Sequence, residues 1–214
     1  MKQLWNDNKV GTLIIGYYRC GTHFLHDIIK DQCSFKTATL GEICNDNSIQ
    51  QLINLTSNDM PYKICILNNT SPKFYLISAD ELLSKWHVIH LTRKNKLNHF
   101  MSHWFWFQNT LDQQQSNTGN FLHHATKNSV YQQHLNEVKK TVPVDFVMQW
   151  LMEQLINYHI KADAVIDYDE LIAYQSEDIL WAPNQYENIQ LEDIIINHEE
   201  IKNLLLNFNI TNEN

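Results

Sequence analysis

The chain has 214 residues, of which 43% are hydrophobic and 19% charged, so it can bury a core and does not have the composition of a disordered protein. Its formal net charge of −8 disfavours a general nucleic-acid binder, so an anion site has to be locally basic. The sequence shows neither an apolar run of the roughly 20 residues that a membrane span requires nor a signal-peptide pattern. We therefore expect a single domain over residues 1–214, soluble and cytoplasmic, with its four cysteines reduced.

Short apolar runs rich in β-branched residues alternate with helical patterns along the chain. Each of the first and fourth runs is followed by an apolar stripe at helical spacing, beginning at Phe24 and at Leu97. This alternation predicts an α/β domain with a mostly parallel sheet of about five strands flanked by helices. The predicted strands are Thr12–Gly16, Phe35–Thr39, Lys63–Asn68, His87–Thr92 and Ala164–Asp167.

Three further segments are predicted in the second half of the chain. A polar, turn-rich segment at 113–128 is typical of a loop or lid. A helical pattern extends from about Val130 to Ile160, and Pro143 should break or restart it. Apolar residues between Ile201 and Phe208 indicate a closing amphipathic helix.

The motif "GYYRCGTH" follows the first predicted strand. Gly16 and Gly21 match the glycines of the phosphate-binding pattern GxxxxGK[ST], but Thr22 stands at the position of the lysine. The backbone N–H groups from Cys20 to Phe24, the Thr22 hydroxyl and the Arg19 guanidinium suit a tetrahedral anion. The motif alone is equally consistent with a plain strand-turn-helix connection, so a second feature is needed.

That second feature is the segment "WHVIHLTRKNKLNHFMSHWFWF". Arg93 follows a buried strand, and Ser102 lies on the next predicted helix, off its apolar stripe. Ligands of open α/β sheets bind beyond the carboxyl ends of the strands, so we expect Arg93 and Ser102 to face the same crevice as the first motif.

These residues resemble the sulfotransferases that use 3′-phosphoadenosine 5′-phosphosulfate (PAPS). "YRCGTHFL" resembles the family's 5′-phosphosulfate loop, and "VIHLTRKNKLNHFMSHW" resembles its 3′-phosphate site, in a form similar to the bacterial trehalose-type enzymes. "AVIDYDELI" resembles the segment whose tyrosine, here Tyr168, contacts the adenine. The resemblance implies a three-layer fold like that of P-loop NTPases, with PAPS held by Arg19, Cys20, Gly21, Thr22, His23, Phe24, Arg93, Ser102 and Tyr168.

The resemblance has two departures. Cys20 replaces the usual serine of the loop, which removes a hydroxyl donor, and "WAPNQYEN" lacks the Gly-rich basic loop that covers the 3′-phosphate in the cytosolic branch. These departures keep open a nucleotide-binding protein without turnover, and an ATP- and Mg²⁺-dependent small-molecule kinase is the alternative enzyme. A convincing strand-end aspartate for Mg²⁺ is lacking, although "IDYDEL" is a distant option.

The implied reaction is sulfuryl transfer to a hydroxyl of a carbohydrate or small metabolite, and it needs a general base. Glu42, after the second predicted strand, is the first choice, because the trehalose-type enzymes place a carboxylate in this region. His23 competes for this role, whereas His26 is expected to face solvent. Arg19 would stabilise the leaving bisphosphate. His99 and His103 have the spacing of a metal pair but no evident third ligand, so we expect no metal site.

Overall fold

A computed structural model of the chain describes most of the predicted elements. The residues that it describes are 4–32, 38–43, 48–57, 62–68, 83–104, 107, 139–157, 161–172 and 190–208.

A parallel sheet forms the centre of the fold. Its strands are β1 (Gly11–Gly16), β2 (Ala38–Ile43), β3 (Lys63–Asn68), β4 (His87–Thr92) and β5 (Ala164–Asp167). Their order across the sheet is β2-β3-β1-β4-β5, and every neighbouring pair is parallel. The coarse prediction of an α/β chain with a parallel sheet and flanking helices is therefore confirmed. Because β1 lies between β3 and β4, the loop after β1 emerges near the middle of the sheet edge.

The helices are α1 (Thr22–Gln32), α2 (Ser48–Thr56), α3 (Val144–Asn157), α4 (Tyr168–Ile172), α5 (Leu191–Ile194) and α6 (His198–Asn207), and residues 96–104 are also helical. Helix α3 begins directly after Pro143, as predicted, but residues 139–143 are not helical, and Lys140 instead forms a parallel bridge with Ile195. Helix α6 confirms the closing amphipathic helix, with Ile201 and Leu205 buried. The predicted loop at 113–128 lies outside the described residues.

Alternation along β1 explains why both faces of the sheet are covered. Leu13 and Ile15 face a cluster that includes Leu52 of α2, whereas Ile14 faces a cluster that includes Leu25 of α1. Strands buried on both faces have continuous apolar sequences, which is the pattern of "TLII". Helix α1, which follows the candidate loop, is therefore fixed on the sheet by burial of Phe24, Leu25, Ile28 and Ile29.

The second strand differs from its prediction. We expected a strand at Phe35–Thr39 with Glu42 in the loop after it, but β2 runs from Ala38 to Ile43 and contains Glu42. Glycine is rare in the regular part of a strand. Gly41 instead lies at a register shift between Leu40 and Glu42, the type of irregularity that a glycine permits.

The chain forms two compact units. The first contains residues 1–94 and 153–181, and therefore the sheet, α1, α2 and α4. The second contains residues 95–152 and 182–214. Its core includes an aromatic cluster in which the ring centroids of Phe100 and Trp150 are 5.3 Å apart and those of Trp104 and Phe146 are 5.4 Å apart. A single domain over the whole chain stays a prediction.

Candidate anion-binding site

The loop between β1 and α1, residues 17–21, has an unusual backbone. Arg19 is left-handed with φ 65°, and Gly21 has φ 95°. The Cys20 N–H donates to the Tyr17 carbonyl at 3.2 Å, and the Leu25 N–H donates to the Gly21 carbonyl at 3.0 Å, which begins α1. The predicted donor at Cys20 is thus taken up by the turn. Thr22 to Phe24 form the first turn of α1, and the backbone N–H groups of a helix N-terminus are the kind of donor that binds an anion.

The predicted polar side chains of this loop differ in accessibility. Arg19 and His23 are exposed, whereas Thr22 is only 4% exposed. An exposed guanidinium beside a helix N-terminus adds positive charge where the helix dipole already favours an anion. The loop therefore places an exposed arginine next to a helix N-terminus, and its role as an anion site stays a prediction.

Cys20 belongs to the core. Its side chain is 1% exposed and joins the apolar cluster on the α1 face of the sheet. A Cβ at Gly16 would overlap the Cys20 sulfur, so the two residues are in close contact. Burial raises the pKa of the Cys20 thiol to about 12, even though the nearby Arg93 charge acts in the opposite direction. Cys20 is therefore a neutral packing residue whose side chain points away from solvent.

Tyr168, the first residue of α4, covers the glycine of the loop. A Cβ at Gly21 would overlap the Tyr168 ring, so only glycine fits at this position beside it. The ring also makes an edge contact with Phe24, with centroids 6.4 Å apart. The tyrosine predicted to contact an adenine thus packs directly against the candidate loop.

Arg93, which follows β4, contacts both the same loop and the Tyr168 ring. It is 8% exposed, its Nη1 donates to the Arg19 carbonyl at 3.1 Å, and its Cζ lies 4.5 Å from the centroid of the Tyr168 ring. The ends of β1, β4 and β5 therefore meet at one loop, as expected where parallel strands end at a common edge.

Asp167, at the end of β5, joins these strand ends and was not predicted as a site residue. Its carboxylate accepts hydrogen bonds from the Lys94 N–H at 2.9 Å, the Thr92 hydroxyl at 3.2 Å and the Asp169 N–H at 3.1 Å. The "IDYDEL" motif did indicate an aspartate at a strand end. Its partners in the β4 segment are remote in sequence, so no local pattern could have identified them.

The sequence also did not indicate a hydrogen-bonded pair formed by Tyr17, the residue after β1, and Glu153. The Tyr17 hydroxyl donates to a carboxylate oxygen of Glu153 in α3, and burial together with this contact raises the Tyr17 pKa. The two residues are separated by 136 positions in the chain, so sequence spacing carries no signal for the pair.

Three other residues considered in the sequence analysis are Glu42, Ser102 and His26. Glu42 is in β2, at the edge of the sheet and next to β3 rather than β1. Ser102 belongs to helical residues 96–104 of the second unit and is 3% exposed. The expectation for His26 was wrong: it is 7% exposed, with Nδ1 2.9 Å from the Asp27 carboxylate. It shares a buried helix face with Thr22 and Ile29. The buried face of α1 is therefore wider than the stripe of apolar residues in its sequence.

The histidine pair at positions 99 and 103 packs in the core of the second unit. His99 and His103 are 1% and 6% exposed, and their ring centroids lie 5.2 and 6.2 Å from that of Trp150. Within the described ranges, no three potential ligands come together as a metal site would require.

Comparison of this chain with protein-family models, with curated proteins and with solved structures found no match. In the part of the chain that the structure describes, no helix combines the length and the apolar character that crossing a membrane requires.

Proposed function

We propose that this protein is a sulfotransferase of P-loop-like fold that moves a sulfuryl group from PAPS to a hydroxyl of a carbohydrate or other small metabolite. The observation that carries the proposal is the loop after the central strand. It has left-handed residues at Arg19 and Gly21, leads into the N-terminus of an 11-residue helix, and carries an exposed arginine but no lysine at the Thr22 position. This combination suits an anion that needs positive charge and backbone donors.

The loop residues fit the 5′-phosphosulfate end of the cofactor. The amides of Thr22, His23 and Phe24 would bind its oxygens, and Arg19 would stabilise the negative charge that develops on the leaving phosphate. PAPS itself supplies the activated sulfuryl group. A sulfuryl group carries less negative charge than a phosphoryl group, so cationic side chains and amides can provide the stabilisation that kinases obtain partly from Mg²⁺.

The described residues fit the other end of PAPS, its adenine and 3′-phosphate, less completely. The Tyr168 ring is half-buried beside the loop, which is compatible with a base stacking near it. Arg93, however, is buried and donates to the Arg19 carbonyl, so a direct bond from Arg93 to a 3′-phosphate rests on the resemblance alone. The same holds for Ser102.

Two residues remain candidates for the general base. Glu42 is the choice that the resemblance supports, but β3 separates its strand from β1. His23 is exposed in the first turn of α1, next to the proposed anion donors, and this position favours it as the alternative.

The kinase alternative receives less support from the described residues. Asp167 is the strand-end carboxylate that the sequence offered for Mg²⁺, and its oxygens already accept three hydrogen bonds from Thr92, Lys94 and Asp169. A metal ion at this carboxylate would compete with these hydrogen bonds.

Thermal stabilisation by the product nucleotide tests the proposed function. We expect 3′-phosphoadenosine 5′-phosphate to raise the Tm in EDTA, because a ligand that binds only the folded state stabilises by mass action, by roughly 2.7 kcal/mol at 100 times its Kd. ATP with Mg²⁺ is the matched comparison. A larger shift with Mg-ATP, or none with the bisphosphate, contradicts the proposal. Formation of a sulfated product then distinguishes an enzyme from a binding protein.

A further inference from the structure

We propose that Arg93 is a positioning residue, which acts on the anion-binding loop through the carbonyl of Arg19, with Tyr168 and Asp167 fixing it in place. The identity of the ligand in this proposal rests on the proposed function, whereas the state of the loop itself does not. The proposal departs from the resemblance, which implies a direct bond from Arg93 to the 3′-phosphate.

The first step concerns the backbone at Arg19. A non-glycine residue in the left-handed region is strained, and it persists only where its surroundings hold it there. Arg93 provides such a contact, because its Nη1 donates to the Arg19 carbonyl at 3.1 Å from a position that is 8% exposed. A hydrogen bond from a cation is stronger than one from a neutral donor. Arg93 therefore stabilises the conformation that presents the Arg19 side chain to solvent.

The second step concerns the Tyr168 ring. The Arg93 guanidinium carbon lies 4.5 Å from the ring centroid, so the cation is held over the aromatic face. The same ring is in contact with Gly21, where a Cβ would overlap it. Arg93 and Tyr168 thus hold two residues of one turn, Arg19 by a hydrogen bond and Gly21 by packing.

The third step concerns Asp167, which fixes both members of this pair. Two of its hydrogen-bond donors, the Thr92 hydroxyl and the Lys94 N–H, flank Arg93 in sequence. The third, the Asp169 N–H, belongs to the residue after Tyr168. Asp167 is 4% exposed, so these bonds are largely shielded from water. One carboxylate therefore positions the arginine and the aromatic ring together.

A positioning role predicts a different ligand dependence from a direct phosphate contact. If Arg93 bound the 3′-phosphate, its loss would weaken only ligands that carry this group. If Arg93 instead shapes the loop, its loss weakens all ligands that place a phosphate in the loop, by the same factor. Adenosine 5′-phosphate lacks the 3′-phosphate of 3′-phosphoadenosine 5′-phosphate, so the two nucleotides distinguish these roles.

The experiment measures the Kd of both nucleotides for the wild type and for Arg93→Ala. We expect the substitution to weaken both at least tenfold while their Kd ratio stays within about twofold, the level at which independent effects add. Lys94→Ala is the matched control, because it removes an exposed neighbouring charge and keeps the N–H that Asp167 accepts. A loss confined to the bisphosphate overturns the proposal.

Hydrogen exchange of the ligand-free chain gives a second readout. The Cys20 N–H reports the turn directly, because it donates to the Tyr17 carbonyl. We expect its exchange to become at least tenfold faster in Arg93→Ala and Tyr168→Ala, and to stay near the wild-type rate in Tyr168→Phe, which keeps the ring. Arg93→Met replaces Arg93→Ala if the latter does not fold, because methionine keeps much of the buried volume and removes both the charge and the donor. Unchanged exchange of the Cys20 N–H in the Arg93 and Tyr168→Ala variants overturns the proposal, even if neither nucleotide binds. Faster exchange in these variants, with no binding of either nucleotide to the wild type, contradicts only the proposed function.

Discussion

Gly21→Ala tests how closely the candidate loop, residues 17–21, depends on Tyr168. Alanine at φ 95° is strained by about 1–3 kcal/mol. Its Cβ also displaces the Tyr168 ring from Arg93, which costs about 0.5–2 kcal/mol more. The lower entropy of the unfolded alanine chain offsets about 0.4–1 kcal/mol. We therefore expect a net loss of about 2 kcal/mol, or a Tm lower by roughly 4–8 °C for a chain of this length.

Urea unfolding of four proteins measures this effect: the wild type, Gly21→Ala, Tyr168→Ala and the double variant. Removing the ring makes room for the new Cβ, so Gly21→Ala should cost less in the Tyr168→Ala background, where only the backbone strain remains. Lys30→Ala, on the exposed side of α1, is the control and should change stability little. An unchanged stability of Gly21→Ala, or an equal cost in both backgrounds, refutes the close packing of Gly21 on Tyr168.

Three further predictions concern the base, the core thiol and a buried histidine. Glu42→Ala should abolish sulfuryl transfer and leave nucleotide binding nearly intact; an active variant, with His23→Ala inactive, transfers the role to His23. Cys20→Ser should lower the free energy of unfolding by about 1–3 kcal/mol, because it buries a hydroxyl in an apolar cluster, and it should not tighten nucleotide binding. Tighter nucleotide binding by Cys20→Ser than by Cys20→Ala would contradict the assignment of Cys20 to the core. Burial lowers the His90 pKa from 6.5 to about 4, so between these pH values the unfolded chain binds more protons than the folded chain. The free energy of unfolding should therefore fall as pH decreases through this range, by up to about 3 kcal/mol. Urea unfolding at several pH values should show a smaller loss of unfolding free energy for His90→Gln than for the wild type. The same pH dependence in both proteins would contradict this prediction.

Local patterns in the sequence predicted most of the strands. β3, β4 and β5 match their predicted bounds, because runs such as "KICILN" and "HVIHLT" combine consecutive apolar or β-branched residues with a polar residue at the end. β2 was misplaced because the effect of Gly41 depends on pairing with β3, and no local pattern reports this pairing. His26 was misjudged for a related reason: its burial depends on what packs around α1.

The candidate site was only partly accessible to sequence reasoning. The glycines and Arg19 could be recognised because a tight strand-turn-helix connection restricts residue types locally. The functions of Asp167 and of the Tyr168 ring in holding the loop depend on residues more than 70 positions away. The sequence also suggested that Arg93 faces a ligand, which stays a prediction, and no local pattern indicated its contacts with the Arg19 carbonyl and the Tyr168 ring. Position at a strand end indicates that a residue is near a site, but its contacts decide what it does there.

The most direct test of the central claim is a hydrogen-exchange footprint of 3′-phosphoadenosine 5′-phosphate on the wild-type chain. With saturating nucleotide in EDTA, we predict slower exchange of the amides from Tyr17 to Phe24, which form the loop and the first turn of α1. Lack of protection in this segment, or protection there only with ATP and Mg²⁺, would contradict the assignment of this loop as a phosphosulfate site.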